Sequence, residues 1–162
     1  MVVVDSSALI PLARVGRLDL IPAVFETIAT TEAVAREVVV EGKPGATALK
    51  EFLDGAATQE SPASAEETAA LEGITVADAS VVLLADERGE RLLANDRGLV
   101  TVARSHDVES WWVTTLLLRC AKAGVLDGDE AKDVLYDLVD SGTNLDPQVY
   151  TQVQRKLEGI GE

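Results

Sequence analysis

The chain opens Met1-Val2-Val3-Val4-Asp5-Ser6-Ser7, an apolar run that stops on an acid and two helix-capping hydroxyls. A strand with one wet face alternates apolar and polar residues; an unbroken valine run marks a strand buried on both faces. Ser6 or Ser7 then caps a helix through Leu9, Ile10 and Leu12, with Gly16 near its stop. A short buried strand passing straight into a helix is the repeating unit of a parallel α/β fold.

The same alternation continues outward. A second helix is predicted over Ile21 to Phe25. Val34, Val38 and Val39 then fall at helical spacing, so Glu37 is placed on a helix that Gly42-Lys43-Pro44-Gly45 ends. Ala46 to Leu53 reads as a short helix, Gln59 to Ser64 as a loop, and Glu66 to Leu71 as helical. Val76 to Leu84 continues as a helix to a C-terminal cap at Gly89. Arg91 to Ala94 and Ser110 to Val113 are predicted strands, separated by a helix from Leu99 to Arg104; a helix from Thr115 to Lys122 follows. Two well-marked helices close the chain, one from Asp129 to Val139 and one with Asp146 as cap and Pro147 in its first turn. The pattern predicts a parallel sheet covered by helices on both faces.

At 162 residues the chain suits one domain, which buries roughly 70% of its unfolded surface and needs no disulfide or metal staple. With aromatics at 4% of residues, its core must come from Ala, Val and Leu. One cysteine (Cys120) and one histidine (His106) exclude an internal disulfide and multi-cysteine or paired-histidine metal sites. Cys120 reads as buried packing and His106 as a solvated surface residue. The N-terminus has no basic region, and no apolar run approaches the ~20 residues of a membrane span. A cytoplasmic protein with no membrane contact is expected.

The formal net charge is −14, from 28 acids against 14 bases. Such a surface repels phosphate backbones. Carboxylates that bind a divalent metal, a basic partner, or a salt-rich cytoplasm each account for it; at ~1 M salt the Debye length is only ~3 Å. The low share of Lys, five of the 14 bases, leans towards a halophilic setting. The acids between Asp127 and Asp140 read as a solvated helix face and lack the EF-hand pattern.

Four acids stand apart. Asp5 and Asp96 directly follow predicted strands, and ligands of parallel sheets bind outside the carboxyl ends of the strands. Glu37 and Asp78 sit among apolar neighbours on helices, where an unpaired carboxylate is costly to bury. Taken singly, each reads as a helix cap or an ion-pair partner. Together they have no basic neighbours beyond Arg36 and Arg97. Clustered carboxylates repel until a cation neutralises them, and hard oxygen ligands select Mg²⁺ or Mn²⁺, the ions suited to phosphodiester hydrolysis. Ser7 reads as a cap that also orients Asp5.

These motifs resemble those of PIN-domain nucleases. Val2-Val3-Val4-Asp5-Ser6-Ser7 is similar to the family's opening strand and first acid. Glu37 in Val34-Ala35-Arg36-Glu37-Val38-Val39 resembles the second, Asp78 in Val76-Ala77-Asp78-Ala79 the third, and Asp96 in Ala94-Asn95-Asp96-Arg97-Gly98-Leu99 the fourth. Their order and spacing (32, 41 and 18 residues) are similar to the family's. Leu117-Leu118-Arg119 with Ala121-Lys122-Ala123-Gly124 is similar to a subgroup that carries an extra C-terminal helical segment. Two departures stand out. Asn95 occupies a position where that subgroup often has a second Asp, and Trp111-Trp112-Val113-Thr114-Thr115 replaces a small-residue turn, leaving Thr114 and Thr115 as candidates for an auxiliary hydroxyl.

The resemblance implies a three-layer α/β/α sandwich around a mostly parallel sheet, with residues 1–162 as one domain and 127–162 as its helical extension. It implies a Mg²⁺- or Mn²⁺-dependent endoribonuclease acting through Asp5, Glu37, Asp78 and Asp96, similar to the toxin of VapBC toxin–antitoxin pairs. RNA is then the substrate, an antitoxin protein the partner, and a homodimer the expected assembly. The alternative is a catalytically inactive PIN fold that binds RNA or protein.

Overall fold

The computed structural model describes residues 1–40, 43 and 45–160. Its strands are β1 (Val2–Val4), β2 (Ile28–Thr31), β3 (Ala57–Gln59), β4 (Arg91–Leu93) and β5 (Ser110–Trp111). They form one parallel sheet in the order β3-β2-β1-β4-β5. The first half of the chain carries the helices α1 (Ser6–Arg14), α2 (Leu20–Val24), α3 (Glu32–Val38), α4 (Ala46–Asp54) and α5 (Ala65–Glu72). The second half carries α6 (Val76–Arg88), α7 (Arg97–Ser105), α8 (Val113–Lys122), α9 (Gly128–Asp140) and α10 (Pro147–Ile160). Helices cover the sheet on both sides, giving the three-layer α/β/α sandwich. No single helix among the described residues is long and apolar enough to cross a membrane.

β1 is the central strand, paired with β2 on one side and β4 on the other, and Val2, Val3 and Val4 are fully buried. Double-sided burial of this kind stabilises by about 1.5–3 kcal/mol per side chain, which is why the strand is all valine. The strand order also has a consequence for the site. β2 and β3 build outward from β1 in one direction, and the chain then returns to place β4 and β5 on its other flank. The order therefore reverses between β1 and β4. In open parallel sheets it is outside the strands' carboxyl ends at such a reversal that ligands bind.

The structure corrects the sequence reading in five places. Ile28–Thr31 and Ala57–Gln59 are strands that the sequence pattern does not predict, and Gln59, expected to open a loop, ends the second. Ile28-Ala29-Thr30-Thr31 is half polar, and its threonines are buried only because partners exist: the Thr30 hydroxyl donates to the Val4 carbonyl at 2.8 Å. Ala57–Gln59 is an edge strand, where polar residues face water. β5 stops at Trp111, and Val113 already belongs to α8, with Trp112 as its N-cap. Asp5, not Ser6 or Ser7, caps α1. His106 is not freely solvated: it closes α7, and its Nε2 lies 3.3 Å from Glu72 Oε1. Gly42 and Pro44, expected to end the helix carrying Glu37, lie outside the described residues. Gly89 caps α6 as anticipated, at φ 64°, and Cys120 is buried.

Candidate active site

Asp5 and Asp96 stand on either side of the strand-order reversal. β1 and β4 run in register, Val4 opposite Leu93, and the Asp5 N–H extends the ladder by donating to the Leu93 carbonyl at 3.0 Å. Each aspartate caps the helix that follows its strand. Asp5 Oδ2 accepts from the Ser7 N–H at 3.0 Å and the Ser7 hydroxyl at 2.6 Å. Asp96 Oδ1 accepts from the Leu99 N–H at 3.0 Å. Gly98 keeps room beside it, since a Cβ there would come within 3.3 Å of that same oxygen. Capping fixes both carboxylates at the sheet edge and leaves one oxygen of each free of the helix.

The free oxygen separates the site from ordinary capping. Asp5 is 1% exposed, and its Oδ1 is buried with no hydrogen-bond partner. A carboxylate that merely capped a helix would sit in water or have its remaining lone pairs satisfied. Burial pushes the Asp5 carboxyl up from its ordinary value against the pull of the Ser7 and Ser6 donors, and the charge of Asp96 adds to the rise.

Asp78 comes from the first turn of α6, whose N-cap Thr75 accepts from the Asp78 N–H at 3.0 Å. The helix is tied to β2 two residues later. The Thr31 and Ser80 hydroxyls, both fully buried, lie 2.7 Å apart, and Ser80 donates onward to the Ala77 carbonyl. Asp78 is raised to about 6, first by burial and then by the charges of Asp5 and Asp96, with Glu37 adding a smaller push. Glu37, on the last turn of α3, is raised by burial and by Asp5, with the Ser6 hydroxyl pulling the other way. The four predicted acids thus form one electrostatic neighbourhood around Asp5. Asp96 and Glu37 are exposed, and among the described residues no three acids, cysteines or histidines are gathered tightly enough to grip a metal.

The donor set consists of carboxylate oxygens, the chemistry of Mg²⁺ and Mn²⁺ rather than of softer metals. The orphaned Asp5 Oδ1 is a buried acceptor for which a cation supplies the missing partner. By chemical kind the donors suit a hard divalent ion, although among the described residues no three of them are drawn together. A cleft of about 590 Å³ is lined by Ala33 and Arg36 of α3, Val76 of α6 and Ser61, Pro62, Ala63, Ala65 and Glu66; none of the four acids lines it.

Sequence reasoning named all four acids and missed the scaffold between them. Ser7 does more than orient Asp5. Its oxygen also accepts from the Asn95 N–H at 2.8 Å, stitching the turn after β4 to the start of α1. Those residues are 88 apart in the chain, so no local pattern announces the bond. Ser7→Ala removes a donor from Asp5 and strands the Asn95 N–H. Thermal denaturation should show a loss of about 1–3 kcal/mol.

A parallel sheet whose strand order reverses between two capping aspartates, with two further acids facing them, defines an α/β protein with a carboxylate site at its switch point. The chain belongs to the PIN-domain family: the family model DUF3368, described as a PIN domain, matches residues 1–159. PIN domains are generally nucleases and usually use a divalent metal. The fold is similar to the crystal structure of PAE2754 from Pyrobaculum aerophilum, with a TM-score of 0.56 and 25% identity over 74% of this chain and 94% of that one. No curated protein matches the chain.

Proposed function

We propose that the chain is a divalent-metal-dependent endoribonuclease, the toxin of a VapBC-type pair whose partner is an antitoxin protein. The observation that carries the metal-dependent reading is the buried, unpartnered Oδ1 of Asp5, a residue whose charge raises the Asp78 carboxyl and is itself opposed by Asp96. Asp5, Asp78 and Asp96 would hold the Mg²⁺ or Mn²⁺, and Glu37 would contribute directly or through water. When bound, such an ion offers Lewis-acid stabilisation of phosphoryl charge and a more acidic water at neutral pH. The protein's own part is positional. Caps hold Asp5 and Asp96, the Thr31–Ser80 bond holds α6, and Ser7 fixes both strand ends to one another. Arg36, exposed and next to Glu37 in the chain, would be the cation available to meet a phosphate of the RNA strand.

A second reading, a non-cleaving PIN fold that binds RNA or protein, is favoured by the exposed Asp96 and Glu37 and by the lack of a tight three-acid grouping among the described residues. Incubation of the protein with an RNA panel, with Mn²⁺ or Mg²⁺ and with EDTA, separates the two. Cleavage that EDTA abolishes supports the nuclease; bound metal with no cleavage of any RNA supports the second reading.

The acidic surface is read as adaptation to a salt-rich cytoplasm. On that reading the melting temperature rises as KCl goes from dilute to molar, because screening relieves the −14 self-repulsion. A flat or falling curve argues against it.

A further inference from the structure

Both tyrosines of the chain, Tyr136 and Tyr150, line one groove on the C-terminal helical pair. The groove holds about 650 Å³ and runs between α9 and α10, with Val139, Leu145 and Pro147 completing its apolar lining. Tyr136 is 59% exposed and Val139 39%. The packing of the pair is already satisfied without them: Leu135, Leu138, Val153 and Leu157 are buried in the main core. Leu145 and Tyr150 are partly buried against that core, while Tyr136 and Val139 leave apolar surface uncovered in the groove.

Its rim indicates what would cover it. Asp140 lines the groove; Asp133 and Asp137 precede it at i−7 and i−3 on the exposed side of α9, and Asp146 caps α10 at the other end of the turn. Among the described residues none of these four acids forms an ion pair, and Lys132 of α9 is taken up by Glu158 at 3.4 Å. A second copy suits this groove badly. A two-fold contact would oppose each acid row to its own image, on chains carrying −14 each. Nucleic acid is disfavoured by the same charges. A cationic amphipathic helix suits it well. Such a helix lays apolar residues at i, i+3, i+4 and i+7 into a groove while its flanking cations meet the aspartates. Tyrosine is among the residues that anchor such contacts most strongly.

We propose that the α9–α10 groove docks a cationic amphipathic helix of a partner protein, with Tyr136 and Tyr150 taking its apolar side chains and Asp133, Asp137 and Asp140 its Lys or Arg. The proposal does not depend on the nuclease reading. Its probe is a fluorescein-labelled Leu/Lys amphipathic peptide of about 18 residues, titrated with the full chain and followed by fluorescence anisotropy at 0.15 M salt. Tyr136→Ser, at an exposed position that leaves the fold intact, should weaken binding at least about tenfold. The double variant Asp137→Lys/Asp140→Lys should weaken it as much. Glu67→Lys/Glu87→Lys makes the same charge change on α5 and α6 and should cost less than about threefold. Equal weakening by that control pair would reduce the binding to general charge attraction and overturn the proposal. Unchanged binding by Tyr136→Ser would overturn it as well. So would a dimer of the unmodified chain, seen by sedimentation, that Tyr136→Ser dissociates, because the groove would then belong to a second copy.

Discussion

Asp5→Asn is expected to lower metal-dependent RNA cleavage at least about a hundredfold while leaving the fold in place, and Asp96→Asn to do the same. The size follows from the site's construction. Asn keeps the shape of the carboxylate, and its amide oxygen can still accept from the Ser7 N–H and hydroxyl that Oδ2 serves now. What disappears is the negative charge on a rigid, buried oxygen, so the loss falls on holding a cation rather than on folding. A hundredfold corresponds to about 2.7 kcal/mol of transition-state stabilisation, a modest share for one charge among three or four. Stability without metal should hold or rise, because the new NH₂ stands among acids where Oδ1 had no partner and Asp96 repelled it. The measurement pairs cleavage rates in Mn²⁺ with melting temperatures in EDTA for the unmodified chain and both variants. Variants that cut at the original rate would remove Asp5 and Asp96 from the site.

Asp5 and Asp96 were legible in the sequence because the feature that places them is local. A carboxylate directly after a buried apolar run, as Asp5 is, or one residue beyond it, as Asp96 is after Asn95, lands at the carboxyl edge of a parallel sheet. Asp78 and Glu37 were legible as misfits, acids where the helical neighbours are Val and Ala. The route by which α6 reaches the other acids was not legible. It depends on the Thr31–Ser80 bond, across 49 residues, and on a strand at Ile28–Thr31 whose threonines look polar until their buried partners are known. The edge strand Ala57–Gln59 was hidden for a related reason, since Thr58 faces water, Ala57 and Gln59 are only half-buried, and the three carry no run of large apolar residues. The tail helices announced themselves through caps, Asp127 with Glu130 in a capping box and Asp146 before Pro147. Their caps say nothing of the Tyr136–Tyr150 groove, which exists only because the two helices pack side by side.

Asp78 supplies the second large effect, a pH dependence that metal should reverse. Its carboxyl, ordinarily near 3.8, is raised to about 6 in the fold, so between those values the folded state binds more protons than the unfolded one. Stability linked to this group is therefore fully present below about 3.8 and lost as pH climbs through 6. Glu37 and Asp5 are shifted in the same direction and add to the trend. Asp78→Asn removes the titration. In EDTA, the melting temperature of Asp78→Asn minus that of the unmodified chain should be near zero below about pH 3.8, reach roughly half its full size by pH 5 and grow by several more degrees by pH 7.5, at about 2–4 °C per kcal/mol for a chain of this size. Adding Mn²⁺ should stabilise the unmodified chain far more at pH 7.5 than at pH 5, because protons compete for the same oxygens. It should do much less for the variant. A variant-minus-original difference that stays constant from pH 5 to 7.5 would mean that Asp78 titrates as an ordinary surface acid. An equal response of both chains to Mn²⁺ would place the metal elsewhere. The two outcomes together decide whether the repulsion around Asp5 is a strain the fold tolerates or the preparation of a cation site, since only a cation site gains stability from metal in the pH range where protons leave it.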